Sequence, residues 1–135
     1  MKIAELLAEL KTLKLPQDKF AITSSGPLGV RNLREINDLD IIVYPEVWRE
    51  LIKNHPVTKE NNFESIYIGN LQILGKGSWF TDNQFGSIES QIDDADEIDG
   101  FKYVQLSTIL AIKQLKTREK DIQDVKLIKD YLTTL

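Results

Sequence analysis

Ile22-Thr23-Ser24-Ser25-Gly26-Pro27-Leu28-Gly29-Val30-Arg31-Asn32-Leu33-Arg34-Glu35-Ile36-Asn37-Asp38-Leu39-Asp40-Ile41-Ile42-Val43 is the stretch from which the rest of the chain is read. An apolar run, with Phe20 and Ala21 ahead of Ile22, predicts a first strand ending at Thr23. Ser24-Ser25-Gly26-Pro27 has the composition of a turn, and a short helix is expected over 28–34 with Arg31 and Arg34 on its polar side. A second strand is expected over 38–44. Strand side chains alternate, so Asp38 and Asp40 are expected on one face, roughly 7 Å apart along the backbone. Two carboxylates so placed suit a hard divalent cation bound through oxygen.

Upstream, Ile3, Leu6, Leu7, Leu10 and Leu13 recur at helical spacing and predict an amphipathic helix over 2–14, stopped at Leu15-Pro16. Downstream, Pro45 suits a first helical position, with Val47, Trp48, Leu51 and Ile52 as the apolar stripe. Residues 65–68 and 70–74 read as β-type runs, either a tight hairpin about Gly69-Asn70 or one strand with a bulge. Either way Gln72 faces away from Leu71 and Ile73. Residues 75–87 read as a loop carrying Trp79, Phe80 and Phe85, followed by a helical turn at 88–92. An acidic, solvated stretch is expected at 93–97, then a turn and a last short strand by residue 104. Ser107 is expected to cap a helix over 108–115, and Asp121 to open a final helix after the basic connection 116–120. Asp121 and Asp124 read as a cap and a surface acid, and Lys116 as a cation serving a helix C-terminus. The alternation of elements predicts one α/β (α+β) domain over 1–135, a small mixed sheet flanked by helices.

Composition narrows the chemistry. With no cysteine, disulfides, thiolate nucleophiles and zinc–thiolate sites are excluded; with a single histidine, so is a histidine-rich metal site. A metal here must be held by oxygen, which favours magnesium or manganese. A net charge of −4 argues against a basic face for duplex nucleic acid. The opening residues lack the pattern of a signal peptide, and no apolar run reaches the roughly 18 residues of a membrane span, so a soluble cytoplasmic protein is expected.

The opening stretch resembles the signature of the nucleotidyltransferase superfamily, the polymerase-β-like fold: an apolar residue, glycine, glycine or serine, roughly a dozen residues, then acid-apolar-acid-apolar. Ile22-Thr23-Ser24-Ser25 stands for its first part, and the twelve residues 26–37 separate this from Asp38-Leu39-Asp40-Ile41. The tail, Ala95-Asp96-Glu97-Ile98-Asp99-Gly100-Phe101-Lys102-Tyr103-Val104-Gln105-Leu106 with Lys113 and Arg118-Glu119-Lys120-Asp121-Ile122-Gln123-Asp124-Val125, is similar to that of small stand-alone bacterial members, some related to toxin–antitoxin pairs. The resemblance implies a minimal nucleotidyltransferase fold and magnesium-dependent transfer of a nucleotidyl group from a nucleoside triphosphate to an acceptor. It implies that Asp38 and Asp40 hold the metal, that Lys113 and Lys120 stabilise charge, and that Ser24, Ser25, Gly26, Arg31 and Arg34 contact the nucleotide. Two positions depart from the pattern. Ser24 replaces the signature glycine, and Gln72 occupies the place, on the later strand, of a third carboxylate. Glu64 and Glu89 are the other acids that could serve there. These departures imply an alternative, a nucleotide- or partner-binding module without turnover, completed by a second copy or a separate protein.

Overall fold

The computed structural model describes residues 2–135. Its centre is a seven-stranded mixed sheet in the order β3-β4-β5-β2-β1-β7-β6. The chain enters through α1 (Ile3–Lys11) and a short 3₁₀ turn, then runs β1 (Phe20–Thr23), α2 (Gly26–Gly29), β2 (Leu39–Val43) and α3 (Pro45–Leu51). It continues through β3 (Thr58–Glu60), β4 (Phe63–Ile68) and β5 (Leu71–Leu74), and then α4 (Ile88–Asp93), β6 (Asp96–Ile98) and β7 (Phe101–Tyr103). Two helices, α5 (Leu106–Lys113) and α6 (Glu119–Leu132), complete it. β2 pairs with β5 and β1 with β7 in parallel; the remaining pairs are antiparallel. The expected α+β architecture, a mixed sheet flanked by helices, is what forms.

Strand alternation sorts the core into two halves. Ile22, Leu39, Ile41 and Ile73 pack with Leu6 and Leu10 of α1 and Val47 of α3. Ala21, Ile42 and Leu74 pack on the other face with Ile92, Ile109, Ile112 and Ile128 of α4, α5 and α6. Because side chains two apart share a face, Asp40 belongs with Ile42, and Gln72 with Leu74, on the side of α5 and α6. In β2 and β5 the apolar run is broken on this face by Asp40 and Gln72.

Several local expectations are corrected. The helix expected over 28–34 begins earlier and ends at Gly29, leaving Arg31 and Arg34 beyond it. Its start is set by packing: a Cβ on Gly26 would lie 2.2 Å from Ile22 Cγ2, so only glycine lets the helix settle on β1. Asn32 then turns left-handed (φ 58°) and the Leu33 N–H closes on the Leu28 carbonyl at 3.0 Å, a Schellman-like stop. The 65–74 region is the hairpin and not a bulged strand. Gly69, with φ 59°, takes the first turn position, and Glu9 of α1 accepts from the Asn70 backbone N–H at 2.8 Å and side-chain amide at 3.1 Å. β3 was not anticipated; its turn is Asn61-Asn62, both with positive φ, as a two-residue type I′ connection needs. Asp96 and Glu97, from the stretch expected as solvated acid, stay exposed but belong to edge strand β6 with Ile98, joined to β7 across Asp99-Gly100 with the same positive-φ pair. Ser107 is not the cap of α5, which starts at Leu106 after Gln105 with no side-chain capping bond. Asp121 does not open α6; that helix starts at Glu119 and buries both Asp121 and Asp124.

Candidate functional site

Parallel pairing of β2 with β5 sets Asp40 opposite Gln72, and antiparallel pairing of β1 with β2 sets Asp40 opposite Thr23. Ser24 follows Thr23 directly and takes the left-handed conformation at φ 57°, unusual for a residue bearing a Cβ. That kink carries the Ser24 hydroxyl to the Asp40 carboxylate. Ser24, Asp40 and Gln72 form the floor of a cleft of about 380 Å³. Trp79 and Phe80 stand on one side of it, and Lys116 and Arg118, from the connection between α5 and α6, on another.

Asp40 is the electrically uncomfortable group. Burial pushes its carboxyl up to about 6, and the neighbouring Asp38 pushes the same way; the Ser24 hydroxyl, Lys120 and Lys113 pull back only in part. Lys116 is perturbed in the opposite sense: half-burial lowers its ammonium, while Asp121 and Asp40 support the charge. The Lys116 ammonium lies 5.3 Å from the centre of the Phe80 ring, a cation–π distance. Gln72 donates through Nε2 to Ser65 Oγ at 2.9 Å and to Tyr67 Oη at 3.1 Å. Those bonds fix the amide and leave its oxygen as the atom without a protein partner among the described residues.

The other expected site residues divide. Asp38 is exposed just ahead of β2 and reaches the site through its effect on Asp40; Lys120, exposed at the start of α6, does the same. Ser25 and Gly26 are buried, and the Ser25 carbonyl accepts from the Leu28 and Gly29 N–H groups at 3.0 Å. Arg31 donates to the Pro27 carbonyl at 2.9 Å and to Asp96 at 3.2 Å. Arg34 forks onto Asp124 at 2.7 and 3.2 Å. Both arginines thus already have protein partners. Glu64 lies between Phe63 and Ser65 on β4, one residue out of phase with the Ser65 and Tyr67 hydroxyls that meet Gln72, and Glu89 is an exposed residue of α4; neither lines the cleft.

Lys113 has a different setting from the one expected. It is 1% exposed and donates to Asp124 at 2.8 Å and to Asp121 at 3.3 Å. Arg118 caps the far side of Asp121 with bonds of 2.7 and 3.3 Å. Burial pushes the Asp121 carboxyl up, but the Arg118 bonds and the charges of Lys113, Lys116 and Arg118 outweigh it and hold the group below its usual value. Arg34, Asp124, Lys113, Asp121 and Arg118 therefore form one ionic chain from the segment after α2, through the α5–α6 interface, to the cleft. The reading of Asp121 and Asp124 as cap and surface acid is corrected accordingly. Lys116 and Arg118 line the cleft; the signal for them in the sequence is three cations at alternate positions, 116, 118 and 120, leading into α6.

The donors at the floor are all hard oxygens: the Asp40 carboxylate, the Gln72 amide oxygen and the Ser24 hydroxyl, with the exposed Asp38 carboxylate adding charge from outside the cleft. They suit one magnesium or manganese ion that keeps part of its water shell. Among the described residues no group of three or more His, Cys, Asp or Glu side chains is arranged to hold a metal. No helix of the described residues is long and apolar enough to cross a membrane. No protein-family model matches the chain, and no curated protein shows significant similarity to it.

Proposed function

We propose that the Asp40 cleft binds a magnesium nucleoside triphosphate and transfers its nucleotidyl group to an acceptor. The observation that carries this reading is the in-register placement of Asp40 beside Gln72, with Ser24 at the same floor and a wall of Lys116 and Arg118. A half-buried carboxylate whose charged form is disfavoured attracts a cation, and the cations across the cleft attract an anion. A metal–polyphosphate satisfies both at once. Asp40, Asp38 and the Gln72 oxygen would hold magnesium, which would neutralise charge on the phosphate oxygens. Lys116, Arg118 and Lys120 would take the charge that builds on the leaving phosphates. Trp79, 44% exposed, offers a face for the base. In the transfer, an acceptor hydroxyl oxygen bonds to the α-phosphorus and loses its proton to solvent, the bond to the α–β bridging oxygen breaks, and pyrophosphate leaves with the electron pair.

A second reading, binding without turnover, is favoured by Gln72. A neutral amide where a carboxylate would complete the metal site weakens the case for a second ion and for a base. One experiment separates the two. Pyrophosphate release is followed with each nucleoside triphosphate, magnesium and a panel of hydroxyl-bearing acceptors, alongside binding monitored by thermal shift, for the natural chain and Gln72→Glu. On the transfer reading the natural chain releases pyrophosphate and Gln72→Glu tightens magnesium by about tenfold, the charge-assisted gain of replacing an amide by a carboxylate. Stabilisation by magnesium nucleotide with no release from either protein supports the binding reading. No stabilisation by any nucleotide overturns both.

A further inference from the structure

Next to the Asp40 cleft lies a larger one, of about 650 Å³, within the range of small-molecule sites. The two share Leu74, Gly77 and Ser78, so the short segment after β5 is a common wall. One side of the larger cleft is α3, with Trp48 and Arg49; another is the 75–78 segment, with Lys76. Its walls are built before any ligand arrives. The Gly75 N–H donates to the Glu64 carbonyl at 2.8 Å, the Glu64 N–H to the Lys76 carbonyl at 2.9 Å, and the Thr81 hydroxyl to the Gly75 carbonyl at 2.8 Å. Gly77 holds φ +96° and has the Asn62 carbonyl where a Cβ would go, at 2.1 Å. The Trp48 ring presses on Gly75, with a Cβ there only 2.6 Å from its Cη2.

The chemistry of the lining is specific. Val43, Leu74, Ile88 and the Trp48 indole make an apolar slot. Arg49 and Lys76 stand on two of its sides, both exposed, and neither forms an ion pair within the described residues. Asp82, the acid at this cleft, is engaged by its own loop, accepting from the Gln84 N–H at 3.1 Å.

We infer that the Trp48 cleft is a second binding site, for a small molecule with a flat apolar body and an anionic end. The body lies against Trp48, Leu74 and Ile88, and the anion meets Arg49 and Lys76. The binding stands on this cleft alone. A role for the occupant as acceptor rests on the nucleotidyl-transfer reading, through the wall shared with the Asp40 cleft.

The two tryptophans separate the sites, since Trp48 lines one cleft and Trp79 the other. The full chain, labelled with nitrogen-15, gives two indole N–H signals, assigned with Trp48→Phe and Trp79→Phe. The probes are 2-naphthoate, its uncharged match 2-naphthamide, and magnesium ATP. The expected result is a saturable shift of the Trp48 indole and of the Gly75 and Gly77 amides with 2-naphthoate. Affinity for 2-naphthamide is expected to be about fivefold weaker, the usual size of an exposed charge pair. In Arg49→Gln/Lys76→Gln, a surface variant, the two probes bind alike. A Trp48 signal unmoved by millimolar 2-naphthoate, equal affinity for both probes in the natural chain, or a naphthoate preference that survives the double variant each overturns the inference. Magnesium ATP is read at Trp79. Silence there with a response at Trp48 sinks the nucleotide reading and leaves the second site; the converse sinks the second site alone.

Discussion

Asp40 and Asp124 lie on the same side of one sheet, and their surroundings could hardly differ more. Asp124 is 1% exposed and meets Arg34 and Lys113; Asp121 beside it meets Lys113 and Arg118. Every buried carboxylate oxygen of that pair has a cationic donor. Asp40 has a hydroxyl, a like charge at Asp38, and lysines acting from a distance. The difference separates two uses of buried charge. The ionic chain holds α5, α6 and the segment after α2 in one arrangement. Asp40 is left in want of a positive partner, the setting that the proposed metal–nucleotide site calls for.

The largest expected effect comes from breaking the satisfied side. Lys113→Met removes the cation shared by Asp121 and Asp124, and stability is expected to fall by about 3–5 kcal/mol, measured by denaturant unfolding. A loss under 1 kcal/mol would mean that Arg34 and Arg118 suffice, and would erase the contrast with Asp40.

Next in size is relief of the unsatisfied side. The folded protein holds the Asp40 proton more tightly than the unfolded chain does, with the value moved from 3.8 to about 6. Ionising Asp40 in the folded state is therefore unfavourable. Its destabilising effect is absent below pH 3.8, grows between 3.8 and about 6, and is complete above, where it amounts to about 3 kcal/mol. Asp40→Asn is expected to stabilise the protein by up to that amount at pH 8 and by little at pH 4. Asp121 acts with the opposite sign. Its lowered value gives stability that is present above the usual carboxylate range and lost as pH falls below it. The Asp40→Asn variant should thus keep the loss in acid while the decline between pH 4 and 6 disappears. An Asp40→Asn protein less stable than the natural chain at pH 8 would show that the surrounding lysines already satisfy the carboxylate.

The smallest effect concerns the kink beside it. Ser24 occupies a left-handed backbone position that glycine adopts without steric cost. With Asp40→Asn as background, so that the serine hydroxyl no longer serves a carboxylate, Ser24→Gly is expected to add about 0.5–1 kcal/mol. In the natural background the gain should shrink, because the hydroxyl that supports the Asp40 charge is lost. Equal gains in both would show that Ser24 contributes nothing to the carboxylate.

Much of this was legible in the residues. Apolar spacing placed α1, α3, β1, β2 and the two β-type runs at 65–68 and 70–74, and alternation put Gln72 on the face away from Leu71 and Ile73; the hairpin and the register that sets Gln72 opposite Asp40 are what the structure adds. What escaped was non-local. An aspartate early in a helix looks the same in sequence whether it faces water or, as at Asp121, a lysine eight residues earlier. Arg34 looked available because its partner is 90 residues away. Strands β3 and β6 are short, polar edge strands without an apolar signature; only the positive-φ turn pairs Asn61-Asn62 and Asp99-Gly100 announced them. The two clefts are products of packing between distant segments, with Lys116 brought over Asp40 by the turn between α5 and α6.

The same distance has a kinetic meaning. The floor of the Asp40 cleft comes from β1, β2 and β5, while its basic side waits for α5 and α6 to dock. Closing the Arg34–Asp124 contact means ordering a loop of 90 residues before the bond returns any free energy. The basic side of the cleft accordingly depends on α6 staying docked, and the cleft opens if α6 detaches from an otherwise intact sheet. A ligand bridging Asp40 and the Lys116 wall would act as a latch on that opening, slowing hydrogen exchange in α6 without a single contact to the helix interior.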